Sequence, residues 1–230
     1  MAIKMYDLAG AENDRRFSPF CWRTKLALMH KGLEFETIAW RYADKPKTAF
    51  SGSDRVPVIV DDDRPVADSW KIATYLEDNY VERPSLFGGI RGRAAAYFVN
   101  SWADTVLNAA LVRLLVLDTL HHLDAGDRAY FRESREKRFG MTLEAFTGDT
   151  EQNIATLRSA LEPLRVMLAG QPYIGGESPL YTDYIVFGSL QWARSIGRTR
   201  LLETTDPIEE WRGRLLDSFG GFARRAHGYW

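Results

Sequence analysis

The sequence predicts an α/β domain followed by an all-α domain, and three observations carry that prediction. Up to Tyr80, strand-like alternation and helical periodicity take turns along the chain. A segment rich in turn formers, Pro84-Ser85-Leu86-Phe87-Gly88-Gly89, then interrupts both patterns. From Ile90 onward the alternation is gone and the helical period alone persists.

The elements follow in order. Ile3 to Leu8 reads as a strand, and Pro19 to Lys31 as a helix closed by Gly32 just past its C-cap. Trp22, Leu26 and Met29 put an apolar face on that helix. Phe35 to Trp40 alternates again. Val56 to Val60 is a short buried-strand run ending at Asp61-Asp62-Asp63, and Pro65-Val66-Ala67 returns as its hairpin partner. Ser69 then caps a helix whose Ile72, Leu76 and Tyr80 share a face. The order is β-α-β, an irregular stretch, then β-β-α, which gives a mixed sheet. Beyond the break, Tyr97, Val99, Trp102, Val106, Leu107, Ala110 and Leu114 predict one long helix. Ile154, Leu157, Leu161, Leu164 and Leu168 predict another, ended by Gly170; Tyr181 to Ile196 and Pro207 to Phe219 add two more. The expected boundaries are residues 1–83 for the α/β domain, 84–89 for the linker and 90–230 for the helical domain.

Composition excludes several function classes. With 45% hydrophobic residues the 230-residue chain can fill a core, and its formal net charge of −1 offers no basic field to nucleic acid or an anionic membrane. The single cysteine, Cys21, rules out an intrachain disulfide and a cysteine metal cluster. His30, His121, His122 and His227 lack metalloprotease spacing, so no metal is expected, and no glycine-rich loop has the spacing for nucleotide phosphates. The N-terminus lacks an apolar signal core, and no apolar run approaches the roughly 18 residues of a membrane span. A cytoplasmic protein is the expectation.

Chemistry concentrates at Ser18-Pro19-Phe20-Cys21. Ser18 is a natural N-cap, and Pro19 suits the first helical position because its missing N–H needs no partner there. A hydroxyl, free backbone N–H groups and the positive end of a helix dipole converge, which is a place to hold an anion. Two further elements belong with it: Arg55-Val56-Pro57, a proline before a strand, and Asp68-Ser69 at the next helix start.

In these three elements the chain resembles the glutathione transferase family, and the two-domain layout extends the resemblance over nearly its whole length. The resemblance implies a thioredoxin-like N-terminal domain, an all-α C-terminal domain and glutathione as co-substrate. Ser18-Pro19-Phe20-Cys21 stands where glutaredoxin-like relatives carry Cys-Pro-x-Cys. Val56-Pro57 looks like the Val-cis-Pro step that meets the cysteinyl part of glutathione, with Arg55 as a cation beside it. Asp68-Ser69 matches the acidic-residue–Ser pair that holds the γ-glutamyl end. Phe17 to Gly32, Arg55 to Asp62, Asp68 to Ala73 and the extended loop Ala9 to Arg16 look most like bacterial β-aryl-etherase-type transferases and their fungal relatives. Those etherases often have a longer C-terminal region. The loop Ala9 to Arg16, ahead of Ser18, is placed to gate or occlude the site.

The magnitudes agree with thiol activation. Lowering a thiol pKa from about 8.5 to about 6.5 takes roughly 2.7 kcal/mol. One hydrogen bond to a charged group supplies roughly 1.5–3 kcal/mol and a helix N-terminus about 0.3–1. Ser18 is thus expected to donate to the glutathione thiolate rather than act as a nucleophile. Each assignment has a purely structural counterpart: Ser18 as a cap alone, Val56-Pro57 as a trans step, Asp68-Ser69 as capping, Arg55 as a surface charge. Cys21 holds the resolving position with no attacking cysteine at 18, so no dithiol cycle is available, and it reads as a small packed residue. Phe20, Tyr97, Phe98 and Trp102 are candidates for an apolar substrate pocket, against a core role for these aromatics. Asp183 is read as a structural acceptor at the start of a buried helix, with Ser178 or Thr182 helping and Leu180 at the expected cap. The expected activity is attack of glutathione on an apolar, aromatic electrophile, with aryl ether cleavage as one variant. The alternatives are a non-catalytic glutathione-dependent carrier and an interaction module that docks through its helices. A homodimer is the family expectation.

Overall fold

The computed structural model describes residues 2–230. Four strands, β1 (Ile3–Leu8), β2 (Phe35–Trp40), β3 (Val58–Asp61) and β4 (Arg64–Ala67), form one sheet in the order β2-β1-β3-β4. β1 pairs parallel with β2 and antiparallel with β3, and β3 pairs antiparallel with β4. A parallel pair needs a crossover, which helix α1 (Pro19–His30) supplies. The expected strand at Val56 begins two residues later, because Pro57 has no N–H to give to a ladder; the Val56–Pro57 bond is cis. The irregular stretch after β2 is a 3-10 segment, Tyr42–Ser51. Alternation along β1 sends Asp7 toward α1, where Lys25 Nζ pairs with its carboxylate at 3.0 Å. Tyr6 points the other way and meets Phe50 of the 3-10 segment, ring centroids 5.8 Å apart.

Helix α2 (Ser69–Asn79) completes the first half. Its N-cap is Asp68 rather than the expected Ser69, because one carboxylate oxygen accepts both the Trp70 and Lys71 N–H groups at 3.0 Å. The second half holds α3 (Ile90–Trp102), α4 (Asn108–His121), α5 (Ala125–Phe139), α6 (Leu143–Thr147), α7 (Thr150–Ala160), α8 (Glu162–Leu168), α9 (Tyr181–Ile196) and α10 (Pro207–Arg225). The one long helix expected through Leu114 widens into a π turn over Ala103–Leu107 between α3 and α4. The single helix expected from Ile154 to Leu168 is broken at Leu161, because Pro163 lacks an N–H and its ring crowds the preceding turn. The last helix continues past Phe219, interrupted by non-helical residues Ser218, Phe219, Gly220 and Gly221. Sequence periodicity missed α5, in which only Asp127 and Phe131 are buried.

Helix α9 is the core of the second half, with 14 of its 16 residues buried. It lies against α1 so closely that a β-carbon at Gly188 would stand 2.5 Å from the Pro19 carbonyl oxygen. Asp183 near its start accepts N–H groups from Ile174 (2.8 Å), Gly175 (2.9 Å) and Leu180 (3.0 Å), and the Trp211 indole N–H at 2.8 Å. Four donors suffice without the expected help: the Thr182 hydroxyl has no partner. Squeezed between sheet and α9, α1 buries far more than one face. Arg23 on it is fully buried and donates to Asn100 Oδ1 (3.0 Å) and Asp104 Oδ1 (2.8 Å) around the π turn.

His30, at the end of α1, joins the halves. Its Nε2 lies 3.0 Å from the Ser85 carbonyl and its Nδ1 2.7 Å from the Tyr184 hydroxyl. A carbonyl only accepts, so Nε2 carries the proton and Nδ1 accepts from tyrosine: the ring is satisfied as the neutral form. Burial pushes the imidazole below its ordinary value of 6.5. A depressed folded-state pKa stabilises the protein above the ordinary value and withdraws that stability as pH falls through the folded one. The expected outcome is that urea midpoints fall from about pH 7 to about pH 5.5, and that His30→Gln makes this slope shallower. An unchanged slope in the variant contradicts the assignment.

Candidate functional site

Register brings the three singled-out elements to one end of the sheet. Tyr6 pairs with Val58, so the chain just ahead of Val58 lies beyond the C-terminal half of β1. A bridge between Ala9 and Arg16 returns the loop to that same end and delivers Phe17 and Ser18 there. The Asp68 N–H donates to the Pro57 carbonyl at 3.2 Å, which fixes the start of α2 beside the cis step.

Ser18 is the N-cap of α1, extended at φ −63° and ψ 125°, with Pro19 following. Its Oγ accepts the Cys21 N–H at 3.3 Å, which uses a lone pair, and its hydroxyl also stands against the Cys21 thiol. Cys21 itself is buried, and burial pushes its thiol far above the usual range. At that pKa the thiol is inert at neutral pH, in keeping with a packed residue. Asp68 adopts φ 83°, a region that a non-glycine residue enters at a cost of about 1–3 kcal/mol. Such strain persists where the surroundings impose it, here two N–H groups of α2 and the Pro57 carbonyl. Ser69 is buried, and its carbonyl accepts the Tyr181 hydroxyl of α9 at 2.9 Å.

Arg55 is different. Its side chain is 88% exposed and lies 3.7 Å from Asp54. Lys45, in a stretch without periodicity to signal it, reaches the same Asp54 at 3.4 Å and so puts a second cation near the cis step. A cavity of about 570 Å³ lies between Ser51, Gly52 and Ser53 on one side and Asp68 and Lys71 on the other. Ser18 does not line it.

The candidate aromatic pocket is dispersed. Tyr97 packs on Trp70, centroids 5.0 Å apart, in an open groove of about 480 Å³ shared with Ile90, Arg93 and Ala94. Phe98 is 75% exposed, Trp102 is partly buried against the core, and Phe20 lies under the Arg23 guanidinium at 4.9 Å. None of these three lines the groove with Tyr97.

The loop Ala9 to Arg16 sits on the helical half: the Ala11 N–H donates to the His122 carbonyl at 2.8 Å, and Arg15 Nη1 to the Ser195 carbonyl at 2.7 Å. It also brings Glu12 and Asp14 to His227, with ligand atoms within 4.8 Å of one another. Residues 213 apart give no sequence signal, and each acid is already paired, Glu12 with Arg15 and Asp14 with His227, both at 2.8 Å.

Both halves match known proteins. Residues 17–79 match the glutathione S-transferase N-terminal domain, and residues 94–220 match the glutathione S-transferase C-terminal domain. Glutathione transferase GST 23 of Zea mays is 27% identical over 208 residues, 86% of this chain and 81% of its own. The probable glutathione S-transferase GSTU1 of Oryza sativa subsp. indica is 27% identical over 225 residues, 88% of this chain and 93% of its own. Among solved structures, glutathione transferase GSTFuA2 from Phanerochaete chrysosporium superposes with a TM-score of 0.76 at 27% identity, covering 96% of this chain and 93% of that one. The glutathione S-transferase CsGST63524 of Ceriporiopsis subvermispora, solved in complex with glutathione, shares the fold with a TM-score of 0.77 at 24% identity, covering 85% of this chain and 86% of that one. A mixed four-stranded sheet with its helices, a helical second half and these matches lead to one conclusion: the chain belongs to the glutathione S-transferase family.

Proposed function

We propose that this protein binds glutathione at the C-terminal end of β1 and activates its thiol with the Ser18 hydroxyl. The observation that carries the reading is Ser18 itself: a buried N-cap at the helix start whose oxygen accepts the Cys21 N–H and whose hydroxyl can turn its proton to a ligand sulfur. Glutathione gives up its thiol proton to solvent, and the thiolate takes the Ser18 O–H hydrogen bond and the positive end of the α1 dipole. Val56 and Pro57 offer backbone groups to the cysteinyl unit. Asp68 and Ser69 hold the γ-glutamyl amine and carboxylate, with Arg55 as a mobile cation at the rim. The thiolate sulfur then forms a bond to an electrophilic carbon of an apolar, aromatic substrate, and the leaving group departs with the bonding electron pair. In an aryl ether the leaving group is a phenolate, which takes up a proton.

Residues 1–83 form the glutathione-binding domain in this reading and 90–230 the helical domain. The protein works in the cytoplasm as a homodimer. Support for the dimer comes from the apolar side chains that α3 leaves exposed, Ile90, Tyr97 and Phe98. Light scattering is expected to give twice the 26.2 kDa chain mass, and a strictly monomeric mass contradicts the dimer.

The thiolate absorbance of bound glutathione, followed against pH, tests the central step. In the native protein the bound thiol is expected to titrate about 2 units below free glutathione. In Ser18→Ala it moves back up by about 1–2 units, the equivalent of one charge-assisted hydrogen bond. Binding without any thiol shift defeats the catalytic reading and leaves a glutathione-dependent carrier. Absence of glutathione binding defeats both.

A further inference from the structure

The 3-10 segment Tyr42–Ser51 holds itself by short-range bonds, Asp44 accepting the Arg41 N–H at 3.1 Å and Ser51 donating to the Thr48 carbonyl at 2.7 Å, and it buries little. Thr48 is its one buried residue, Pro46 interrupts its backbone donors, and Phe50 is half exposed. At its N-terminus, Arg41 offers no side-chain acceptor to the first-turn N–H groups. Those groups are satisfied from the other half of the molecule. Asp127 of α5, itself 2% exposed, accepts the Tyr42 N–H at 2.8 Å on one carboxylate oxygen and the Ala43 N–H at 2.9 Å on the other. Asp127 is held in turn by Asp124, which accepts its N–H at 2.9 Å and pairs with Arg41 at 3.4 Å. A second contact from α5 reaches further along the segment: Lys45 donates to the Tyr130 hydroxyl at 2.6 Å.

The far end of the segment meets the site at its Asp68 edge. Ser51 and Gly52 line the cavity that Asp68 and Lys71 close. Thr48 Oγ1 donates to the Ser53 carbonyl at 3.3 Å, and the Ser53 hydroxyl bonds both the N–H and the carbonyl of Arg55, the residue before Val56-Pro57. Hydrogen bonds thus tie α5 to the start of the segment, and the end of the segment to the residue before the cis step.

We infer that Asp127 is a positioning residue for glutathione binding: a carboxylate of the helical half caps the 3-10 segment and so sets the wall of a site that it does not touch. The inference rests on the proposed function. It separates binding from thiol activation, because Ser18 and α1 stand on different supports.

The test uses the full chain and reduced glutathione. Asp127→Ala is expected to weaken glutathione binding by calorimetry roughly 10-fold, the loss of two buried charge-assisted bonds felt only in part at the site. Asp127→Asn, which keeps one carbonyl acceptor, falls between. Amide exchange is expected to speed up in residues 42–53 and stay native in α1 and α9, and the pH titration of bound thiol is expected to stay native. A global rise in exchange, or weakening shared equally by Asp127→Ala and Asp127→Asn together with a shifted thiol titration, reduces Asp127 to a fold-stabilising residue and overturns the inference. Native affinity in Asp127→Ala overturns it alone and leaves the proposed function standing. A native chain that binds no glutathione overturns both.

Discussion

In this molecule, α9 presents Gly188 to the first turn of α1, and the approach leaves no room for a side chain between the helix backbone and the Pro19 carbonyl. The first turn of α1 is where Ser18 stands, so the packing of the helical half fixes the geometry of a hydroxyl on the sheet half. An N-cap on a surface helix frays readily. Here the cap is gripped from both sides: by α9 above, and below by the sheet, where the buried Asp7–Lys25 pair ties β1 to the helix. Rigid placement of a single donor is what makes a hydrogen bond of ordinary strength effective on a thiolate.

The same logic extends outward from that contact. Three segments of the first half are held by groups from the other half: Ser69 through its carbonyl by Tyr181, the end of α1 through His30 by Tyr184, and the 3-10 segment through its N–H groups by Asp127. Arg23 spans the seam completely, reaching Asn100, Asp104 and the Ile185 carbonyl. Buried charge of this kind adds little net stability, yet removing one partner leaves the other unpaired in a dry place. The two halves are therefore matched to each other residue by residue.

What the sequence disclosed is what local chemistry determines. Ser before Pro ahead of an apolar period marks a helix start whatever lies around it, and the strands and α9 follow from their own periodicity. Asp68 as the cap was within reach of the same reasoning, since a carboxylate bonds two N–H groups where the Ser69 side chain, one residue inside the helix, bonds neither. Other features depend on partners far along the chain. The buried role of Arg23 is set by Asn100 and Asp104, 77 and 81 residues away, which no local pattern signals. Helix α5 carries almost no apolar period because it buries two side chains, and one of them is a carboxylate whose partners lie 84 and 85 residues back. Of the four aromatics, Tyr97 alone lines the groove beside Trp70, an arrangement that depends on helix packing and not on local sequence.

The central claim is that the helix start at Ser18 holds the sulfur of glutathione. A crystal structure of the protein with glutathione bound measures this directly. The account predicts the sulfur roughly 3–3.5 Å from Ser18 Oγ, with the γ-glutamyl end at Asp68 and Ser69. A sulfur turned away from Ser18, or a tripeptide lodged instead in the groove beside Trp70 and Tyr97, would contradict it.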